Sequence, residues 1–299
     1  HVTSDYRTLL SRPDLDAIGV FTPDHLHEEH AVAVLEARKH LYLEKPMCIS
    51  TEGCDRVLAA WQAAGTKFMM GFNMRFMPVF IKARELVSTG AIGDLKAIWV
   101  RHFVGAGSDF YFHDWHGQRA TTTSLLLQKA SHDLDMIHWL AGSYTQRVAA
   151  FGSQDYFGGF MDNQLTCRGC PERDTCPEAM PLDHPRQQCA FRREIDVEDN
   201  HVVILHLASG VQAAYLQCHF TPEYLRNYVL IGTKGRLEAN VEREELWLIR
   251  RTDQATWQRA PERVDFPLAD TQGGHGGADP RIAQAFLDMV LRDVPPISH

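Results

Sequence analysis

Three short apolar runs near the start of the chain limit what it can fold into. "AIGVFT" (17–22), "LYLEK" (41–45) and "KFMMGFN" (67–73) are apolar over strand length and show no polar alternation. A strand without alternation is covered on both faces, which is the condition of a parallel sheet flanked by helices. The intervening segments supply those helices. "DHLHEEHAVAVLEARKH" (24–40) gathers Leu26, His30, Val32, Val34 and Leu35 near one face and turns Glu28, Glu29 and Lys39 outward, with Asp24 as the expected cap. "STEGCDRVLAAWQAAG" (50–65) reads as a helix capped by Ser50 or Thr51 and stopped at Gly65, and "PVFIKARELVSTG" (78–90) as one ending at Gly90.

Past "AIGD" (91–94) the pattern changes. "LKAIWVRHFV" (95–104) is strand-like, and residues 124–142 form a helix anchored by Leu126, Leu134, Ile137 and Leu140. Strand candidates follow at 146–153, 201–208, 211–220, 227–232, 235–239 and 244–250, separated by turns such as "ASG", "GTKG" and "TDQ". A last helix spans 280–293, with Pro280 at its start, where a missing amide costs nothing. The expected organisation is a parallel α/β domain over residues 1–92 and an α+β domain with an open, mostly antiparallel sheet over 93–299. A cysteine-rich insertion interrupts the second at about 160–195.

Composition excludes several partners. The formal net charge is −8 and no Lys/Arg-rich run occurs, which weighs against nucleic acid and against an anionic membrane surface. No apolar stretch of about 18 residues is present, so no segment is expected to span a bilayer. The chain opens at His1 without a signal-peptide pattern and closes at "VPPISH" in mid-pattern. It is therefore expected to be a trimmed chain, with room for a lost targeting segment; the expected location is cytoplasmic.

Ligands of doubly wound sheets sit at the carboxyl ends of the strands. Three such ends carry polar residues here: "TPDHLH" (22–27), "EKP" (44–46) and "GFNMRF" (71–76). Parallel strands open all three on one edge. Pro46 biases Lys45 toward an extended backbone that aims its side chain along the strand. In a partly dry crevice a lysine loses hydration, which lets it donate a proton or polarise a carbonyl. Glu44 can pair with it or bind a ribose hydroxyl.

Together with a helical "SHDLD" segment, these motifs resemble those of the Gfo/Idh/MocA oxidoreductases, the relatives of glucose–fructose oxidoreductase and inositol dehydrogenase. The shared pattern is T-P-N-x-x-H, E-K-P, G-F-N-x-R and H-D-x-D, and the likeness is densest over residues 13–95. The resemblance implies a Rossmann-type domain binding NAD or NADP, followed by the open-sheet domain. It also implies hydride transfer at a sugar, inositol or related polyol carbon. Thr22, Pro23, His27, Glu44 and Lys45 would line the dinucleotide site. Lys45 and His132 would be catalytic, with His132 opening its helix as acid/base, the default role of a group near neutrality. Asn73 and Arg75 would stand at the substrate pocket between the domains.

Three departures qualify the likeness. Gln128 occupies the place of an aspartate four residues before His132, with Lys129 beside it, and Gln cannot ionise. Asp24 replaces the usual Asn. The dinucleotide fingerprint G-x-G-x-x-G is missing: "GAGSDF" (105–110) and "GGHGGAD" (273–279) both fail it, so the first βαβ unit is expected to lie before His1. Two other readings therefore stay open: an NAD-dependent glycoside hydrolase or lyase, and a non-catalytic sugar- or dinucleotide-sensing protein.

"YFHDWHGQR" (111–119) is expected at the substrate pocket, with Trp115 stacking on a sugar face, Arg119 and His116 hydrogen-bonding hydroxyls or a carboxylate, and Gln128 and Lys129 as further substrate-binding candidates; "GGHGGAD" is a mobile loop that can touch substrate or a plain connector. Cys167, Cys170, Cys176 and Cys189 have the spacing of a tetrahedral thiolate site. Structural zinc, free thiols or a disulfide, and an iron–sulfur cluster are the open readings. The uncovered sheet of the second domain predicts a homo-oligomer, dimer or tetramer.

Overall fold

The computed structural model describes residues 2–105, 107–251, 260–266, 274–295 and 297. The turn expected at 252–254 falls outside them. In chain order the elements are α1 (Arg7–Leu10), β1 (Ala17–Val20), α2 (His27–Glu36), β2 (His40–Leu43), α3 (Thr51–Ala64), β3 (Phe68–Met70), α4 (Pro78–Ser88) and β4 (Leu95–Phe103). They continue with α5 (Arg119–Thr122), α6 (Leu125–Ala141), β5 (Thr145–Ser153), β6 (Asn200–Leu207), β7 (Gln212–Cys218), β8 (Leu225–Gly232), β9 (Gly235–Asn240), β10 (Glu245–Arg250), β11 (Glu262–Arg263) and α7 (Gly274–Arg292).

Two compact units result, His1–Met77 with Ala269–His299, and Pro78–Leu268. This differs from the expected division at residue 92 in two places. Helix α4 belongs to the second unit because it packs on β9, β10 and α6, with Phe80 set edge-on against Tyr228 at 4.8 Å. Helix α7 returns to the first, where Phe286 meets the Tyr42 ring at 5.7 Å and Arg281 donates to the Phe76 carbonyl at 3.2 Å.

The first unit holds a parallel sheet in the order β1-β2-β3. Its core joins Val20, Leu41, Leu43 and Phe68 from the three apolar runs to Leu35 of α2 and Val57 of α3. Helix α3 starts as expected, Ser50 Oγ accepting from the Gly53 amide at 3.0 Å, and ends on Gly65 at φ 67°. Asp24 does not cap α2. It is buried in the 3-10 turn Asp24–Leu26, and α2 follows Leu26 without a side-chain cap.

The second unit is built on a sheet ordered β11-β10-β9-β8-β4-β7-β6-β5, antiparallel except between β4 and β7. Burial alternates strictly along β6, where His201, Val203, Leu205 and Leu207 are buried and Val202, Ile204 and His206 exposed. One face is therefore covered and the other open.

Candidate active site

In the first unit, strand register puts Val20, Leu43 and Met70 side by side at the carboxyl edge of the sheet. His27 laces two of these ends together: Nδ1 lies 2.7 Å from the Pro46 carbonyl and Nε2 2.8 Å from the Thr22 carbonyl. Thr22 Oγ1 contacts His30 Nδ1 at 3.0 Å. Glu44 Oε2 accepts from the Lys45 amide at 3.0 Å. Burial pushes the Glu44 carboxyl up, against the lowering pull of the Lys45 charge. Gly71 makes room for that carboxyl: a Cβ there would lie 2.8 Å from Oε1 and 3.1 Å from the Glu44 Cα. Lys45 is half-buried beside it, and the Lys45–Pro46 peptide is cis. Thr22, Pro23, His27, Glu44 and Lys45 thus share one edge.

Asn73 and Arg75 leave the third strand end on a 3-10 turn, Asn73–Phe76. Asn73 is buried and its Nδ2 donates to Asp279 Oδ1 at 2.8 Å; the His275 ring meets the same carboxylate at 2.9 Å. The "GGHGGAD" segment therefore contacts Asn73 through Asp279, with His275, Gly276 and Gly277 at positive φ. Arg75 turns another way and donates to the Ile297 carbonyl at 2.8 Å.

In the second unit, α6 carries Gln128, Lys129, His132 and Asp133. Ser124 Oγ caps it by accepting from the Leu127 amide at 3.0 Å. His132 lies two turns into the helix rather than at its opening, because the helix begins at Leu125. Gln128 is buried one turn before His132, on the same face. Lys129 Nζ stands 5.6 Å from the Tyr111 ring and 5.8 Å from the Tyr224 ring. Tyr111 also meets His116 at 5.4 Å, on which Trp115 stacks at 3.6 Å. Trp115 and Lys129 are thereby joined through aromatic contacts. Arg119 is drawn off to Glu198 at 2.7 Å and to the Asp196 carbonyl at 3.0 Å.

Beneath α6 lies a buried polar band that strand and helix periodicity did not single out. His102, Gln217, His201 and Arg226 occupy neighbouring register positions on the covered face of β4, β7, β6 and β8. Asp133, fully buried, accepts from Tyr228 Oη, from Tyr215 Oη at 3.0 Å and from His102 Nδ1 at 2.9 Å, and pairs with Arg226 Nε at 3.3 Å. Burial by itself would raise this carboxyl; Arg226, and after it His102, hold it well below the usual range. Burial pushes the His102 ring down to about 3, so it is neutral and donates Nδ1–H to a carboxylate whose charge partner is Arg226. His102 Nε2 faces Tyr224 Oη at 3.0 Å, which links the band to Lys129's aromatic neighbours.

Cys167, Cys170, Cys176 and Cys189 come together in the irregular segment between β5 and β6, all as free thiols. Among the described residues no group of three or more His, Cys, Asp or Glu is arranged to hold a metal ion as it stands.

Residues 1–72 match the family described as "Oxidoreductase family, NAD-binding Rossmann fold", and residues 80–238 match "GFO/IDH/MocA C-terminal domain". The chain belongs to the GFO/IDH/MocA oxidoreductase family. The Bacillus subtilis protein YteT is 25% identical over 92% of this chain and 72% of its own length. Levoglucosan dehydrogenase of Pseudarthrobacter phenanthrenivorans is 27% identical over 85% of this chain and 63% of its own. Inositol 2-dehydrogenase of Acidothermus cellulolyticus is 29% identical over 50% of this chain and 41% of its own. The chain thus spans between about two-fifths and three-quarters of these relatives. A solved structure of levoglucosan dehydrogenase in complex with NADH superposes with a TM-score of 0.77 at 23% identity, covering 98% of this chain and 76% of that one, which shows the shared fold.

Against the GFO/IDH/MocA pattern, the buried band was the main feature missed. A signal for it existed. Tyr215, Gln217 and His219 alternate with Ala214, Leu216 and Cys218, so three polar groups fall on the strand face that carries the buried Ala213.

Proposed function

We propose that this protein is a dehydrogenase of sugar, inositol or related polyol hydroxyls that uses NAD or NADP. The observation that carries the reading is the shared carboxyl edge of β1, β2 and β3, which presents Thr22, Glu44 and Lys45 together while buried His27 ties two of the strand ends. The donor set fits the ribose and nicotinamide end of such a cofactor: a buried carboxyl for hydroxyls, a threonine, and a lysine beside it. The glycine turn that cradles a diphosphate is not in this sequence. Bound nicotinamide supplies the hydride acceptor.

The protein's own residues handle binding and the proton. Lys45 offers an ammonium to a substrate oxygen, stabilising negative charge as the hydroxyl loses its proton. His132 is the proposed base, since a neutral imidazole accepts a proton near pH 7. Trp115 offers an apolar plate for a sugar face. Gln128 gives hydrogen bonds without charge, so no carboxylate in that position sets the base. Lys129 sits beside Tyr111 and Tyr224 as the cation proposed to meet substrate from the second unit. Asn73, tied to Asp279, and Arg75 are proposed substrate-side residues of the first unit.

Mixing the full-length protein with NAD⁺ or NADP⁺ and a panel of sugars and polyols should produce reduced-nicotinamide absorbance with at least one pair. Failure to bind either dinucleotide together with failure to turn over any polyol would overturn the reading. Sugar release from a chromogenic glycoside without net reduced cofactor would replace it by transient oxidation within a hydrolase. For the open sheet face we propose a second copy of this chain as the cover.

A further inference from the structure

Residues 154–199 join β5 to β6 with little regular structure, namely the 3-10 turn Cys167–Gly169 and single bridges at Met161/Arg192 and Thr166/Gln188. Ordering such a segment costs about 1–2 kcal/mol per residue in backbone entropy, and long loops without internal structure are uncommon in compact domains. Phe157, Ala190, Ile195 and Val197 anchor its two ends in a buried cluster, and the stretch between them needs a further hold.

The backbone is arranged around four sulfurs. The Cys167 amide donates to the Gln187 carbonyl at 2.7 Å and the Cys189 amide to the Leu165 carbonyl at 3.0 Å, which places the two outer cysteines on either side of the Thr166/Gln188 bridge. Cys167 and Cys170 flank one 3-10 turn. The Phe191 amide, two residues on, points at Cys189 Sγ from 3.4 Å, as a donor to a thiolate would. Cys167, Cys170, Cys176 and Cys189, with His113 and Arg173, line one cavity of about 20 Å³. That is room for a single water-sized body. Arg173 Nε is buried there and makes no hydrogen bond to a described residue.

We infer that Cys167, Cys170, Cys176 and Cys189 form a structural site for one divalent cation of zinc's chemistry. The spacing x2, x5 and x12 supplies a knuckle and two further thiolates, enough for a closed tetrahedral shell. The four thiols line the cavity without being grouped at ligating distance, so binding the ion draws the sulfurs inward. Four thiolates and Zn²⁺ carry net −2, and the Arg173 guanidinium offsets part of that charge. His113 Nδ1, 3.9 Å from Cys167 Sγ, is already committed to the Gln188 carbonyl and its Nε2 is buried without a hydrogen bond to a described residue; the four thiols complete the shell without this ring. With no open position the ion holds the segment and does no chemistry. The inference stands apart from the nicotinamide reading.

The test uses the full chain, purified under reductant without added metal. Elemental analysis should find about 1 zinc per chain, and cobalt replacement should give the intense visible bands of a tetrahedral tetrathiolate. Cys170→Ser and Cys189→Ser should each lower zinc content to about a tenth or less, while Cys218→Ser and His113→Ala keep it. The wild-type cobalt spectrum decides the matter should a variant not fold. No zinc and no cobalt–thiolate band, a disulfide among the four, iron with labile sulfide, or retention of metal in Cys170→Ser would each overturn the assignment.

Discussion

Lys45 leaves β2 beside a carboxyl that burial pushes up, on an edge where only a glycine at 71 leaves space. If it works on the reacting oxygen, Lys45→Ala should lower kcat by about 10²- to 10⁴-fold while melting temperature and dinucleotide affinity stay near wild type. His132→Ala should do the same, and steady-state kinetics alongside cofactor fluorescence would check both. Full turnover by either variant would remove that residue from the mechanism. Lys45 could be read from the sequence because Glu44 and Pro46 interrupt an apolar strand. The partners of Arg119 were not legible, because an arginine in a loop declares no partner and Asp196 and Glu198 lie nearly eighty residues further along the chain.

At the scale of elements, α6 is held by its cap and by Asp133. Ser124→Ala should cost about 1 kcal/mol, the usual price of a lost N-cap, and would show as a lowered denaturant midpoint. Asp133→Ala should cost far more, about 3–5 kcal/mol, because it leaves the Arg226 guanidinium buried and uncompensated. Tyr228→Phe should fall between them; a neutral result at Asp133 would show that solvent reaches the band. The boundaries of α3, α6 and strands β1 to β10 follow the expected ones within one to three residues, since caps, left-handed glycines and alternation are local signals, whereas β11 was not expected. The helix to which Asp133 belongs was legible; its partners on β4, β7 and β8 were not, because register and strand order come from packing.

Across the whole molecule, two consequences can be measured. Burial holds the rings of His102, His201 and His219 below their ordinary value near 6.5. An unfolded chain recovers that value, so below about pH 6.5 it takes up protons the folded protein refuses. Stability is complete above that pH and lost as pH falls toward the lowered values, by up to about 1.4 kcal/mol per pH unit for each ring. Asp133, also depressed, acts in the same direction at lower pH, below the ordinary carboxylate range. Melting scans should show a clear loss between pH 7.5 and 5, and an unchanged midpoint would contradict the buried neutral rings. The open sheet face presents Trp99, Val202, Ile204, Leu216 and Phe151 in register, all exposed. Trp99→Asp with Ile204→Asp should convert the proposed oligomer to monomer in sedimentation, and a wild-type monomer would refute it. No helix among the described residues is long and apolar enough to cross a membrane. The sequence alone determined the strand–helix alternation, the residues at the three strand ends and the cysteine spacing, because periodicity and turn chemistry act over a few neighbours. Only the tertiary structure decided that α4 joins the second unit and α7 the first, that Asp133 rests on Arg226 and His102, and that four cysteines share a cavity. Those are contacts between residues far apart in the chain, and burial selects them, not local propensity.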